Sequence, residues 1–374
     1  MPTPRASCGE RTSHPAVNSL IRAEVSAAAL RENLRRVREV APSSRVMAVV
    51  KANAYGHGLV TTALCLADAD AFAVARLQEA LVLRGAGVRK PIVLLEGVFD
   101  AEQLAEAARH DLQIVVHCDE QLALLGGAPA GASFVVWLKI DTGMNRLGFR
   151  IDQAASALLR LASLDPLVRE LRLLSHFASA DEADSAITAR QLARFSELSA
   201  GREWTRSLCN SAGLFAQPAG QLEWVRPGLA LYGVSPFPEL LGSQLGLRPA
   251  MRLVSTVIAV REVRAGETVG YGGTWRALQD ARVAIVAAGY GDGLPRSLEN
   301  GTPVLVDGRR ATLVGRVSMD MVAVDVTPIA GVRVGDPAIL WGPELPVEQI
   351  AAHAGTIPYE LLCGVSQRVP LAVC

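Results

Sequence analysis

With 374 residues the chain is long enough for two domains with cores of their own, and 37 Lys plus Arg against 37 Asp plus Glu leave no global field to hold nucleic acid or an anionic membrane surface. Its six cysteines are scattered without a C-x-x-C pair, so neither a zinc site nor a disulfide framework is signalled, and they read as buried free thiols in a reducing cytosol. What remains is a cytoplasmic protein acting on small molecules, with no metal, nucleic acid or membrane expected.

Residues 1–19 hold Pro2, Pro4, Arg5, Arg11 and Pro15 without an apolar h-region, and read as a disordered leader. No later run is long enough for a membrane span, which needs about eighteen apolar residues. From about residue 45 to residue 228, short apolar runs alternate with segments of helical periodicity, as parallel strands with crossover helices do. The runs are VMAVV (46–50), AFAVA (71–75), IVLL (92–95), LQIVV (112–116), FVVWLKI (134–140), LRLLS (171–175), SLC (207–209) and WVR (224–226), the last two weak. Eight strands with intervening helices, as near 77–85 and 186–199, predict an α/β fold with an N-terminal (β/α)8 barrel over residues 20–240. Pro236, Pro238 and Gly242 mark the linker. From about residue 250, alternating strands with tight glycine turns predict a mainly β C-terminal domain, spanning 241–374 from the linker onward.

In such a barrel the active site lies at the C-terminal strand ends, so polar residues just past the apolar runs ask for a reason. Lys51 follows the first run, His117 the fourth, Lys139 and Asp141 close the fifth, His176 follows the sixth, Asn210 the seventh, and Arg226 ends the eighth. Each alone reads most simply as a snorkelling or satisfied buried group. Together they point to one lined barrel mouth. Lys51 says most, because the chain enters it from a rigid strand and leaves through ANAYGHG. Burial disfavours an ammonium, lowers its pKa and prepares a lysine for Schiff-base chemistry with a carbonyl such as pyridoxal phosphate. On these grounds a simple aldolase-type Schiff base is equally open. Asn210-Ser211-Ala212-Gly213 and Arg226-Pro227-Gly228 offer small residues whose amides can approach phosphate oxygens. VGYGGTW imitates a dinucleotide turn, but Gly270, Gly272 and Gly273 lie in a hairpin context with no helix after them, which argues against a Rossmann site.

From about residue 20 to its end the chain resembles the alanine racemase family. The resemblance is carried by AVVKANAYGHG (48–58), LKIDTGMNRLGF (138–149), SHFASAD (175–181), NSA (210–212), RPGLALYG (226–233), VGYGGTW (269–275), GYGDGLPR (289–296), VGRVSMD (314–320) and IPYELLCG (357–364). It implies a homodimer in which the β domain of each subunit covers the other's barrel mouth. It implies pyridoxal 5'-phosphate on Lys51, with Tyr55, Ser211, Gly228 and Tyr359 at the phosphate, His176 and Asn210 around the cofactor, and Arg226 facing the pyridine nitrogen. An arginine there cannot supply a proton to that nitrogen, so the ring is a weaker electron sink and racemisation is favoured over side reactions. Arg146 is implied at the substrate carboxylate, steadied by Lys139 as a carbamate, since carbamylation turns repulsion between two cations into an ion pair. Tyr271 is implied as the second base, supplied by the other subunit and tuned by His176 and Arg226, with Met319 beside the substrate carboxylate. Tyr290, Arg296, Arg316 and Ile357 resemble the lining of a substrate corridor.

Three other readings are open to the same residues. A non-catalytic pyridoxal-phosphate carrier on such a barrel would lack the second domain and Tyr271. A decarboxylase would keep a carboxylate beside the pyridine nitrogen, where this chain has Arg226. A racemase of broader specificity differs only in the site, so fold alone does not separate it.

Overall fold

The computed structural model describes residues 19–182 and 184–374; the expected leader and Cys8 lie outside them, Ser19 apart. A short strand, β1 (Arg22–Val25), leads into the helix Ala27–Val40. Ser26 caps that helix by accepting from the Ala29 N–H at 3.2 Å, and Leu30, Leu34 and Val37, spaced along one face, are buried. Asn33 on the same face bonds both Leu231 O and Arg248 O, at 3.0 and 2.8 Å, tying the helix to the segment that leaves the barrel.

The barrel consists of β2 (Arg45–Val49), β3 (Ala71–Val74), β4 (Ile92–Leu94), β5 (Gln113–Val116), β6 (Phe134–Asp141), then β8, β9 and β10 after a two-residue strand β7 (Phe149–Arg150) that pairs with the end of β6. Those last three are β8 (Val168–Leu174), β9 (Arg206–Ser207) and β10 (Trp224–Val225). The order β5-β4-β3-β2-β10-β9-β8-β6 is parallel throughout, and pairing of β5 with β6 closes the ring. All eight apolar runs read from the sequence are therefore barrel strands. β3, β4 and β5 are buried at every position because helices cover them outside and side chains fill them inside, which erases any two-residue alternation.

The second region is antiparallel, built on the thirteen-residue β11 (Met251–Val263). A short hairpin, β12 (Thr268–Val269) with β13 (Trp275–Arg276), follows it and holds the VGYGG segment; no helix follows, in line with the rejected dinucleotide turn. β14 (Ala281–Val286), β15 (Pro303–Val306), β16 (Arg309–Val314), β17 (Val322–Asp325) and β18 (Pro337–Trp341) complete a ring in the order β14-β17-β16-β15-β18-β11. β11 can border both β18 and β14 because its register shifts between Val257 and Ala259, which bends the strand between its two partners. Val257, Val286, Val304, Leu313, Val324 and Trp341 fill this second core.

The segment 20–240 was assigned to the barrel, yet β1 pairs antiparallel with β11 and parallel with β19 (Leu371–Val373), so residues 22–25 belong to the second sheet. The two ends of the described chain thus meet on one sheet edge. The thiols are corrected as well: the five described cysteines are free, but only Cys209 is buried, and Cys363 and Cys374 are exposed. Among the described residues no helix is long and apolar enough to cross a membrane, and no group of three His, Cys, Asp or Glu could hold a metal ion.

Candidate active site

Lys51 begins where β2 ends, and the chain then makes a left-handed turn: Ala52, Asn53, Ala54 and Tyr55 have φ of 53°, 54°, 55° and 52°. Left-handed backbone costs an L-residue roughly 1–2 kcal/mol, so four in succession are a strained device that the surroundings must hold. The turn sends Lys51 and Tyr55 into the same cavity at the C-terminal ends of the barrel strands, a space of about 310 Å³. Two glycines are required by close approach. A Cβ on Gly56 would lie 2.0 Å from Leu362 O, on the helix Pro358–Gly364 that brings Tyr359 from the second region to the mouth. A Cβ on Gly228 would lie 2.4 Å from the Tyr55 hydroxyl.

Ten of the expected site residues line this cavity: Lys51, Tyr55, Lys139, Arg146, His176, Asn210, Ser211, Arg226, Gly228 and Tyr359. Ser211 opens the short helix Ser211–Ala216, and its Oγ accepts from the amides of Gly228 at 3.0 Å and Ala230 at 3.2 Å, fixing the Arg226-Pro227-Gly228 bend against it. Asn210 caps the same helix by accepting the Gly213 N–H at 2.9 Å.

Arg226 is 4% exposed and donates only to neutral acceptors: Ser207 Oγ and Ser175 O at 2.6 Å, Leu208 O at 3.3 Å and His176 Nδ1 at 3.2 Å. Burial pulls the guanidinium down to about 10, which leaves it a cation at neutral pH. Two donors therefore flank the imidazole of His176, the Arg226 guanidinium at Nδ1 and the Asn210 side-chain amide, whose Nδ2 lies 3.4 Å from Nε2. Burial first and the Arg226 charge second hold His176 well below its ordinary value, so it is neutral at physiological pH.

Lys139, on β6, is 8% exposed and has no hydrogen-bond or ionic partner among the described residues. Desolvation, followed by Arg226, Arg146 and Lys51, pushes its pKa down to about 8. Burial also lowers Lys51, with Arg146 the next cause, while Glu96 and Glu79 oppose the shift. Four basic side chains therefore converge on a cavity in which Glu96 is the one acidic lining residue. Arg146 rides a loop held by Asp141, whose Oδ1 accepts the amides of Gly143 at 2.9 Å and Asn145 at 3.1 Å. Asp141 was thus a strand-end residue worth noticing, for loop geometry rather than for lining. His117 was noticed and does not line the cavity; its Nε2 donates to Glu96 O at 3.2 Å.

Tyr271, Met319, Tyr290, Arg296, Arg316 and Ile357 do not line it either. They lie in the second region, exposed: Tyr271 by 68%, Met319 by 53% and Ile357 by 58%. Several are neighbours there. A Cβ on Gly272, next to Tyr271, would lie 3.3 Å from the Arg316 guanidinium, and Tyr290 N–H donates to Ser318 O at 3.0 Å beside Met319. Sequence reasoning overlooked Glu79 and His57, which touch the Lys51 turn, and Glu96. Glu79 carried a faint signal, an acidic residue in the first turn of a helix just after a strand end.

Residues 25–236 match the family model described as "Alanine racemase, N-terminal domain" and residues 250–373 the one described as "Alanine racemase, C-terminal domain". The chain is 52% identical to the alanine racemase of Vibrio cholerae over 350 residues, 94% of this chain and 97% of that one. It is similar to the structure of the biosynthetic alanine racemase of Pseudomonas aeruginosa, with a TM-score of 0.91 and 46% identity over 95% of this chain and 99% of that one. The alanine racemase of Acinetobacter baumannii superimposes with a TM-score of 0.89 at 38% identity, over 95% and 99% of the two chains. With both halves matched in order and nearly full length covered in each direction, this chain belongs to the alanine racemase family.

Proposed function

We propose that this chain interconverts L-alanine and D-alanine, using pyridoxal 5'-phosphate held in the barrel mouth and a second copy of the chain to complete each site. The observation that carries the reading is the cavity: Lys51, Lys139, Arg146 and Arg226 face one lining carboxylate, so the site calls for an anionic occupant. The residues fit the cofactor. Tyr55, Ser211, Gly228 and Tyr359 form a corner that a side chain at Gly228 would fill, suited to a phosphate, and Lys51 reaches the same cavity with a lowered pKa suited to a carbonyl partner.

When bound, pyridoxal phosphate supplies an aldehyde carbon that takes an amine and a conjugated ring that draws electron density from the amine's α-carbon. Arg226 faces the ring nitrogen as a permanent donor that keeps its proton, which favours quick return of a proton to that carbon. Arg146 takes the substrate carboxylate. Lys139, with its pKa near 8, keeps a neutral fraction at physiological pH; its amine adds carbon dioxide to form a carbamate and releases one proton to solvent. The carbamate then answers Arg146 with opposite charge. Lys51 exchanges the α-proton on one face and Tyr271 of a second copy on the other. Exposure of Tyr271, Met319, Tyr290 and Ile357 on one region supports docking of that region over a second barrel mouth, with Arg296 and Arg316 along the corridor. The cytoplasm is the compartment in keeping with the free thiols.

The test is racemisation of alanine, serine, lysine and arginine by purified protein with and without added cofactor, with borohydride used to fix the cofactor before peptide mapping. Alanine should turn over fastest, only with cofactor, and the label should fall on Lys51. Label on another lysine removes the cofactor assignment, and equal rates on the larger amino acids make the protein a broad-specificity racemase.

A further inference from the structure

Two side chains outside the proposed chemistry grip the left-handed turn. From the core, His57, 1% exposed, points Nδ1 at Tyr55 O (2.9 Å) and Ala54 O (3.1 Å). Both oxygens accept, so Nδ1 carries the proton and Nε2 is a lone pair, buried and without a partner. Burial holds this imidazole down at about 4, so it stays neutral. Its ring packs on Tyr232 at 4.5 Å; Tyr232 stacks on Tyr55 at 4.8 Å and donates to Val49 O at 2.9 Å, two residues before Lys51. From the rim, Glu79 accepts the Ala52 N–H at 2.6 Å with one oxygen and the amides of Ala75 and Arg76 at 3.0 Å with the other, lashing the turn to the end of β3.

We infer that His57 and Glu79 are positioning residues that hold the strained turn so that Lys51 and Tyr55 enter the barrel mouth together. His57 closes the turn on its own carbonyls, where a left-handed segment without such a donor would relax toward right-handed backbone. Glu79 fixes the first amide after Lys51, and so the direction in which the lysine leaves the strand. The inference rests on the reading that Lys51 carries the cofactor. A histidine that merely fills the core, or a glutamate that merely caps its own helix, would leave the turn indifferent to its hydrogen bonds.

The experiment uses the full chain carrying His57→Phe, which keeps a ring and loses the donor, His57→Asn, which keeps a donor of the same reach and loses the ring, or Glu79→Gln. Amide hydrogen exchange is followed in cofactor-free protein, then pyridoxal phosphate is titrated in by absorbance. His57→Phe should speed exchange over residues 52–58 by at least about tenfold, leave the strand amides of β3 and β4 alone, and weaken cofactor binding about tenfold. His57→Asn should stay within about threefold of wild type in both readouts. Glu79→Gln should speed exchange at Ala52 and weaken the cofactor several-fold; its partly exposed site keeps the test standing if His57→Phe does not fold. Wild-type protection and affinity in His57→Phe and Glu79→Gln, or equal damage from Asn and Phe, overturn the inference. A borohydride label on a lysine other than Lys51 removes the cofactor reading instead, and leaves the exchange result to speak for the turn alone.

Discussion

At the barrel mouth Lys139 and Arg226 are buried, His176 beside Arg226 is half-buried, and all three carry shifted pKa values, whereas Tyr271, Met319 and Ile357 stand 68%, 53% and 58% exposed on the second region. The first group is chemically prepared within one chain, because desolvation and neighbouring charge act on it already. The second is arranged but has nothing to act on. Within the proposed mechanism, association is therefore what assembles the site, and each chain carries one half of two different sites.

The comparison breaks most visibly if either half works alone. Lys51→Ala should lower racemisation by more than about a thousandfold, because it removes the amine proposed to take the cofactor, and Lys139, the mouth's other lysine, is committed to its carbamate. Mixing it with Tyr271→Phe protein under subunit exchange should restore up to about a quarter of wild-type activity: half the dimers are mixed, and each mixed dimer regains one of its two sites. Exchange demonstrated without any recovery would place both residues in one chain's site. A smaller effect, by at least about a hundredfold on one hand only, is expected for Tyr271→Phe. With α-deuterated substrates, washout from L-alanine should fall far more than washout from D-alanine, since Lys51 still serves the other face. Equal loss for both enantiomers points to a single base.

What the sequence made legible follows from what local pattern can encode. Parallel strands buried on both faces announce themselves as apolar runs, so even the two-residue β9 and β10 could be anticipated from SLC and WVR. β1 could not. The segment Arg22–Val25 selects partners at Met251–Val254 and Leu371–Val373, far along the chain, and nothing local says which sheet it will join. Of the ten lining residues, Lys51, Lys139, His176, Asn210 and Arg226 were readable at strand ends and Ser211 and Gly228 as small residues beside them, whereas Tyr55, Arg146 and Tyr359 came only with the family motifs. The left-handed turn was not readable, because Ala52, Ala54 and Tyr55 have no preference for positive φ and adopt it under constraints supplied by His57 and Glu79. His117 shows the converse, a polar residue at a strand end whose hydrogen bond turns it to backbone instead of the cavity.

The smallest expected effect separates the two regions by acid. His57 is buried and His176 half-buried in the barrel, both held neutral, while the second region's one described histidine, His353, is exposed. For His57 the ordinary value is 6.5 and the folded one about 4. Because the folded value is the lower, the neutral ring's contribution to stability is complete above about pH 6.5 and is lost as pH falls toward 4, where the unfolded chain takes up a proton that the folded chain refuses. The gap of about two and a half units sets an upper limit of roughly 3 kcal/mol. Asparagine does not titrate, so denaturant unfolding of cofactor-free protein should show wild type more stable than His57→Asn at pH 7, with the difference shrinking steadily down to about pH 4.5. A difference that stays constant over that range would mean that His57 takes up its proton in the folded chain as readily as in the unfolded one. The barrel's sealed interior would then not reach as far as the lysine turn, and the contrast between a prepared mouth and an exposed partner face would rest on Lys139, His176 and Arg226 alone.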